Sequence, residues 1–174
     1  MSAHTGTHID SPGHWIQAAY ETGRGVEALS LSVLMGPALV VDVPCAAGTC
    51  HVTAAALEAL ALPAGTERLV LKTDNTRRGL WGQPAFRQDY AGVTADGAEW
   101  LVRRGIKLVA IDYLSICTFE DLRACHVTLL EKNVHIVEGL DLSRVAPGLW
   151  NLLALPMSVV GSDGAPARVL MSRL

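Results

Sequence analysis

His4-Thr5-Gly6-Thr7-His8-Ile9-Asp10-Ser11-Pro12-Gly13-His14 places three of the chain's six histidines and an aspartate in one short stretch. A helix would set His4 and His8 on one face, but Gly6, the β-branched Thr5, Thr7 and Ile9, and Pro12 all oppose one. A strand accommodates the same residues. With period two, His4, Gly6, His8 and Asp10 point to one side, and Gly6 removes the side chain that would stand between the imidazoles. Two imidazoles and a carboxylate suit Zn²⁺, Mn²⁺ or Fe²⁺ and leave coordination positions for water and substrate. The competing reading is a solvated histidine-rich tail, which has no reason to interleave Gly, Thr, Asp and Pro at these positions. His14 lies beyond Pro12, where the strand should have turned. It need not be a ligand, and an unliganded histidine beside a metal is a natural proton carrier.

Outward from this stretch, helix and strand alternate. Trp15 to Tyr20 reads as a turn of helix and Glu21 to Gly25 as loop. Ala38 to Val43, closed by Pro44, is a compact apolar run expected to form a buried strand. Thr53 is an N-cap for a helix over Ala54 to Leu60, ended by Pro63 and Gly65, and Arg68 to Thr73 is the next strand. From Asp74 to Gly92 the pattern dissolves into a long loop, in which Trp81, Phe86 and Tyr90 either line a pocket or pin the loop to its own domain. Thr94 opens a helix to about Arg104, stopped by Gly105, and Lys107 to Ile111 is a strand. A helix from about Asp121 to Asn133 carries His126. Val134 to Val137 is a strand that delivers Glu138 at its end, with His135 on the opposite face. Leu149 to Leu155 and Ala167 to Leu174 are two more strands, and Ser162-Asp163-Gly164 between them is a turn signal. The whole is an α/β pattern, a mixed sheet with flanking helices.

The 174 residues suit one domain. Half of them are apolar, yet no run approaches the ~20 residues needed to cross a bilayer, so the excess points to a core and a subunit interface. A homo-oligomer and no membrane partner are expected. The net charge of −3 and the scattered basic residues argue against nucleic acid. No charged region followed by an apolar one opens the chain, and a cytoplasmic location is expected. Cys45, Cys50, Cys117 and Cys125 lack C-x-x-C spacing and are read as free, mostly buried thiols. A Cys125/His126 nucleophile pair is disfavoured because neighbours on a helix point about 100° apart.

The opening stretch resembles the H-x-G-T-H-x-D-x-P-x-H signature of the cyclase family, which includes bacterial kynurenine formamidases and isatin hydrolases. Supporting stretches are Glu99-Trp100-Leu101 with Arg103-Arg104-Gly105, Ile111-Asp112 with Ser115, and His126 followed by Ile136-Val137-Glu138-Gly139-Leu140-Asp141-Leu142. The resemblance spans nearly the whole chain and implies the family's swivelling β/α arrangement, as a dimer or tetramer. It also implies a divalent-metal site. Positions matching His4, His8 and Asp10 bind one ion, those matching His126 and Glu138, with the aspartate as bridge, bind a second, and the position matching His14 acts as general acid/base. Taken alone, a helix histidine and a strand-end glutamate are commonplace. Family members carry a substantial segment before the motif. The expectation is therefore a single cyclase-like domain over residues 1–174, short at its N-terminus, with an open sheet edge for another chain to cover.

The implied function is a Zn²⁺- or Mn²⁺-dependent hydrolase with one or two ions, cleaving the C–N bond of a small-molecule aryl formamide or cyclic amide. The metal lowers the pKa of bound water from ~15.7 towards ~7 and stabilises the oxyanion. Two alternatives differ in class: an N-terminally short metal-binding oligomer with weak or no turnover, and a non-haem Fe(II) oxygenase, whose facial triad is also two histidines and a carboxylate.

Overall fold

The computed structural model describes residues 2–45 and 51–174; Met1 and Cys50 lie outside them. Seven strands are β1 (His8–Asp10), β2 (Met35–Asp42), β3 (Arg68–Lys72), β4 (Leu108–Ile111), β5 (His135–Glu138), β6 (Gly148–Pro156) and β7 (Gly164–Arg173). The helices are α1 (Gln17–Glu21), α2 (Leu31–Leu34), α3 (Ala54–Ala59), α4 (Asp74–Arg77), α5 (Ala95–Arg103) and α6 (Leu122–Glu131). The mixed α/β class read from the sequence is the one observed.

The strands close into a barrel in the order β1-β5-β4-β3-β2-β6-β7. β2, β3, β4 and β5 run parallel to one another, with α5 carrying the chain from β3 to β4 and α6 from β4 to β5, as parallel pairing requires. β6 and β7 form a long antiparallel ribbon beside β2. β1 is antiparallel to both β5 and β7 and seals the cylinder. The closure corrects the expectation of an open edge, since among the described residues every strand of this sheet has a partner on both sides.

Strand residues sort by parity. Ile9, Ala38, Val40, Val70, Leu108, Ala110, Val137, Leu152 and Ala154 form one buried cluster with contributions from β1 to β6, the barrel interior. Leu69, Leu71, Val109, Ile111 and Ile136 turn the other way, against Leu57 of α3, Leu101 of α5 and Leu129 of α6. Both faces of β3, β4 and β5 are therefore covered, which is why these strands read as unbroken apolar runs. The helix caps fall where the sequence puts them: Thr53 and Thr94 each accept a backbone N–H with the side-chain hydroxyl.

Two sequence readings change. The strand does not begin at His4, because Gly6 has φ +68° and the chain turns there, so that only His8–Asp10 is extended. The free-thiol reading fails as well. Cys117 and Cys125 are joined by a disulfide, and no described cysteine is a free thiol. That bond also removes the nucleophile from the Cys125/His126 pair.

Candidate metal centre

The site forms where β1, β5 and α6 meet. Ile9 points into the barrel, so His8 and Asp10 point outward, towards the helix layer. The pairing register sets His8 opposite Glu138, and the parity that sends Val137 inward sends Glu138 to the same outer face. α6 lays its buried side over this face and brings His126 to it. His4, off the strand, returns through the turn at Gly6 and reaches Asp10.

His8 Nδ1 lies 2.9 Å from the Gly6 carbonyl, and its Nε2 lies 3.1 Å from Glu138 Oε2 and 3.5 Å from Asp10 Oδ1. His126 is oriented in the same manner. Its Nδ1 is 2.7 Å from the Leu122 carbonyl, and its Nε2 is 3.4 Å from Glu138 Oε1 and 3.7 Å from Asp10 Oδ2. Glu138 Oε1 also accepts the Ile116 backbone N–H at 2.7 Å. His4 Nδ1 is 2.9 Å from Asp10 Oδ1. A backbone carbonyl on Nδ1 fixes each ring with Nε2 turned to the carboxylates, the orientation a metal-ligating histidine takes. His8, Asp10, His126 and Glu138 are all buried.

The electrostatics are those of a cage built for positive charge. Burial opposes protonation of His8, but the hydrogen bond and charge of Glu138, with Asp10 behind it, outweigh burial and raise its pKa to about 9. For His126, too, burial opposes and Glu138 and Asp10 prevail, so its pKa is raised. Burial would raise the carboxyl of Glu138, yet His126 and His8 draw it down to about 2. The donor set also passes a direct test of fit. Asp10 Oδ2 is buried with no hydrogen-bond partner, and an orphaned carboxylate oxygen among imidazoles is costly unless a cation satisfies it.

Ligand atoms fall into three groups of mutual reach: His4, His8 and Asp10; Asp10, His14 and His126; and His4, His14 and Asp163. Asp10 belongs to two of them, which suits a carboxylate that bridges. His14 sits beyond β1 with its ring 4.1 Å from that of His4 and 5.8 Å from that of His126. The six site residues picked out in the sequence, His4, His8, Asp10, His14, His126 and Glu138, thus lie together here. Those missed are Asp163, which showed only a turn signal, Trp15, whose ring stacks on His126 at 5.3 Å, and the Ile116 amide, which no side-chain pattern can announce.

The long loop is pinned rather than open. Tyr90 is fully buried, stacks on Tyr113 and donates its hydroxyl to the Cys117 carbonyl. Phe86 packs on both tyrosines, and Trp81 donates its indole N–H to the Gly139 carbonyl at 2.9 Å.

Fold and site together define an α/β barrel protein with a histidine–carboxylate cage. The chain belongs to the cyclase family: residues 1–116 match the family described as "Putative cyclase". It is 42% identical over 173 residues to "Cyclase-like protein 3" of Oryza sativa subsp. japonica, covering 98% of this chain and 63% of the rice protein. It is 34% identical over 172 residues to "Kynurenine formamidase" of Bacillus cereus, covering 98% of this chain and 77% of that enzyme. A solved structure described as "The Structure Of Potential Metal-Dependent Hydrolase With Cyclase Activity" superposes with a TM-score of 0.84 at 34% identity, over 98% of this chain and 79% of the other. The chain spans a little under two thirds of the length of the rice relative.

Proposed function

We propose that this protein is a metal-dependent amidohydrolase that cleaves the C–N bond of an aryl formamide or a cyclic amide. The observation that carries the reading is the convergence of His4, His8, Asp10, His126 and Glu138 on one space in which the buried Asp10 Oδ2 has no hydrogen-bond partner. The resemblance to a kynurenine formamidase points to the formamide. His4, His8 and Asp10 would hold one divalent ion, Zn²⁺ or Mn²⁺, and His126 and Glu138, sharing Asp10, a second. An ion in such a cage supplies a nucleophilic water at neutral pH and polarises a carbonyl oxygen.

The chain's own residues do the rest. The Gly6 and Leu122 carbonyls hold the His8 and His126 rings in place. The Ile116 amide fixes Glu138. Trp15 covers the His126 ring and limits water on that side. His14, partly exposed at the mouth and close to both His4 and His126, is placed to hand a proton to the leaving nitrogen. The cage offers two donors, His126 and Glu138, beyond the two histidines and one carboxylate of an Fe(II) oxygenase, which favours the hydrolase. Chelator-treated protein should lose hydrolysis of N-formylkynurenine and related formamides and lactams and regain it with Zn²⁺ or Mn²⁺. Hydrolysis that persists in metal-free protein overturns the reading, and bound metal with no turnover on the whole panel leaves a metal-binding protein.

A homo-oligomer, dimer or tetramer, is also proposed. With no open sheet edge among the described residues, the support moves to the outer face of the β2–β6–β7 ribbon, where Met35, Leu153 and Leu170 form one cross-strand row and Leu149 and Leu170 are 59% and 52% exposed. A row of this kind is costly to leave in water.

A further inference from the structure

We infer that Asp163 is a positioning residue that orients both His4 and His14, and sets the proton location of His14, through one carboxylate oxygen. This rests on the hydrolase reading for the use to which His14 puts its proton, and on the geometry alone for everything else. Asp163 is 159 and 149 residues from its two partners in sequence. Its Oδ2 lies 3.2 Å from His4 Nε2 and 3.1 Å from His14 Nδ1. A carboxylate only accepts, so each of these nitrogens carries a hydrogen. By the same rule His4 Nδ1, 2.9 Å from Asp10 Oδ1, carries a hydrogen as well until an ion displaces it, whereas His14 is left with Nε2 as the nitrogen able to take up or release a proton.

The backbone that carries this carboxylate is itself held. The Asp163 backbone carbonyl accepts the Ser11 N–H at 2.9 Å, at the end of β1, and the Ser162 carbonyl accepts the Val26 N–H at 2.9 Å. Ser162 Oγ donates to the Gly164 carbonyl at 2.6 Å, closing the turn. The turn before β7 is thereby tied to the strand that carries His8 and Asp10, which fixes the backbone from which the shared oxygen reaches both rings. The two rings, 4.1 Å apart and 32° from parallel, lie side by side as sharing one acceptor demands. In water neutral imidazole prefers its hydrogen on Nε2, so the Nδ1–H form of His14 is one this contact must impose.

Three variants, Asp163→Ala, Asp163→Asn and Asp163→Glu, test the assignment. The readouts are ¹⁵N-histidine NMR of the His14 tautomer in metal-free protein, metal content at saturating Zn²⁺, and kinetics on N-formylkynurenine. In the parent His14 should be Nδ1-protonated. Asp163→Ala should move it to Nε2–H and lower kcat about 10- to 100-fold with KM within about threefold, the range found when a residue supporting a metal ligand is removed. Metal content should stay the same, and Asp163→Glu should recover part of both signals. Asp163→Asn is isosteric and keeps only a neutral acceptor. It should fall between the two, and it carries the test if the alanine variant does not fold. An unchanged His14 tautomer in Asp163→Ala overturns the proposal. Loss of one equivalent of metal also overturns it, by making Asp163 a ligand. If the parent hydrolyses no amide, the hydrolase reading fails while the tautomer comparison still decides the role of Asp163.

Discussion

His8 sits between Glu138 and Asp10 with its other nitrogen tied to the Gly6 carbonyl, so in metal-free protein it holds a proton to about pH 9. Its folded pKa lies above the unfolded value near 6.5. The stabilisation is therefore fully present below pH ~6.5 and is lost as pH rises through about 9. Thermal melts of metal-free protein should show the melting temperature falling across that window, and saturating Zn²⁺ should remove the fall, because the ion replaces the proton. Glu138, drawn down to about 2, works at the other end: its contribution is present above its unfolded pKa and is lost only as pH drops through about 2. His14 gives a sharper test of roles at the same scale. His14→Ala should cut turnover by roughly 10²–10⁴-fold, the usual worth of a general acid, while atomic absorption finds metal still bound; loss of the metal would make it a ligand. The residue types were legible in the sequence, since His, Asp and Glu are the groups such a site needs. Which nitrogen or oxygen faces the ion was not, because that depends on carbonyls of Gly6 and Leu122 and an amide of Ile116, backbone groups that every residue has.

At the scale of elements, the centre depends on a close approach of two chain segments. Gly139 follows Glu138 with φ +72°, and a Cβ there would stand 2.6 Å from the Gly6 carbonyl oxygen, the atom that holds His8. Gly139→Ala therefore meets both left-handed backbone and a clash. It should cost about 2 kcal/mol or more in urea denaturation and weaken metal affinity with it, measured by competition with a chromogenic chelator. The loop and helix on the other side are clipped together by the Cys117–Cys125 disulfide, which joins the segment donating the Ile116 amide to the helix bearing His126. Replacing both cysteines by serine should lower stability by about 2–3 kcal/mol, the loop-closure value for so short a span. The sequence showed α6, β5 and the capped helices well, since these are periodic and punctuated. It misled on β1, where Gly6 looked like a gap in a strand and is instead a turn, and on the cysteines, whose spacing of eight has no local signature.

For the whole molecule, closure of the barrel is the decisive feature. β1 is only three residues long, yet it pairs on both sides, and among the described residues the sheet has no unpaired edge. Association must therefore use a face. Light scattering coupled to size exclusion at micromolar concentration should give a dimer or tetramer, and Leu149→Lys with Leu170→Glu should shift it towards monomer; a wild-type monomer at that concentration would sink the proposal. Among the described residues no helix is long and apolar enough to cross a membrane. A cytoplasmic location, proposed from the sequence, must be squared with a disulfide, a bond that thiol-reducing compartments rarely preserve.

What the amino-acid sequence determined by itself was the chemistry and the layering. His4, His8, Asp10 and His14 lie in one short motif, and the unbroken apolar runs of β3 and β4 mark strands buried on both faces, since side-chain alternation is a local property of an extended backbone. Tertiary structure decided the rest. Only the register of β1 on β5 sets His8 against Glu138, only the packing of α6 brings in His126, and only the turn before β7 supplies Asp163. Those contacts join residues far apart in the chain, and no local pattern encodes which distant partner a given side chain will meet.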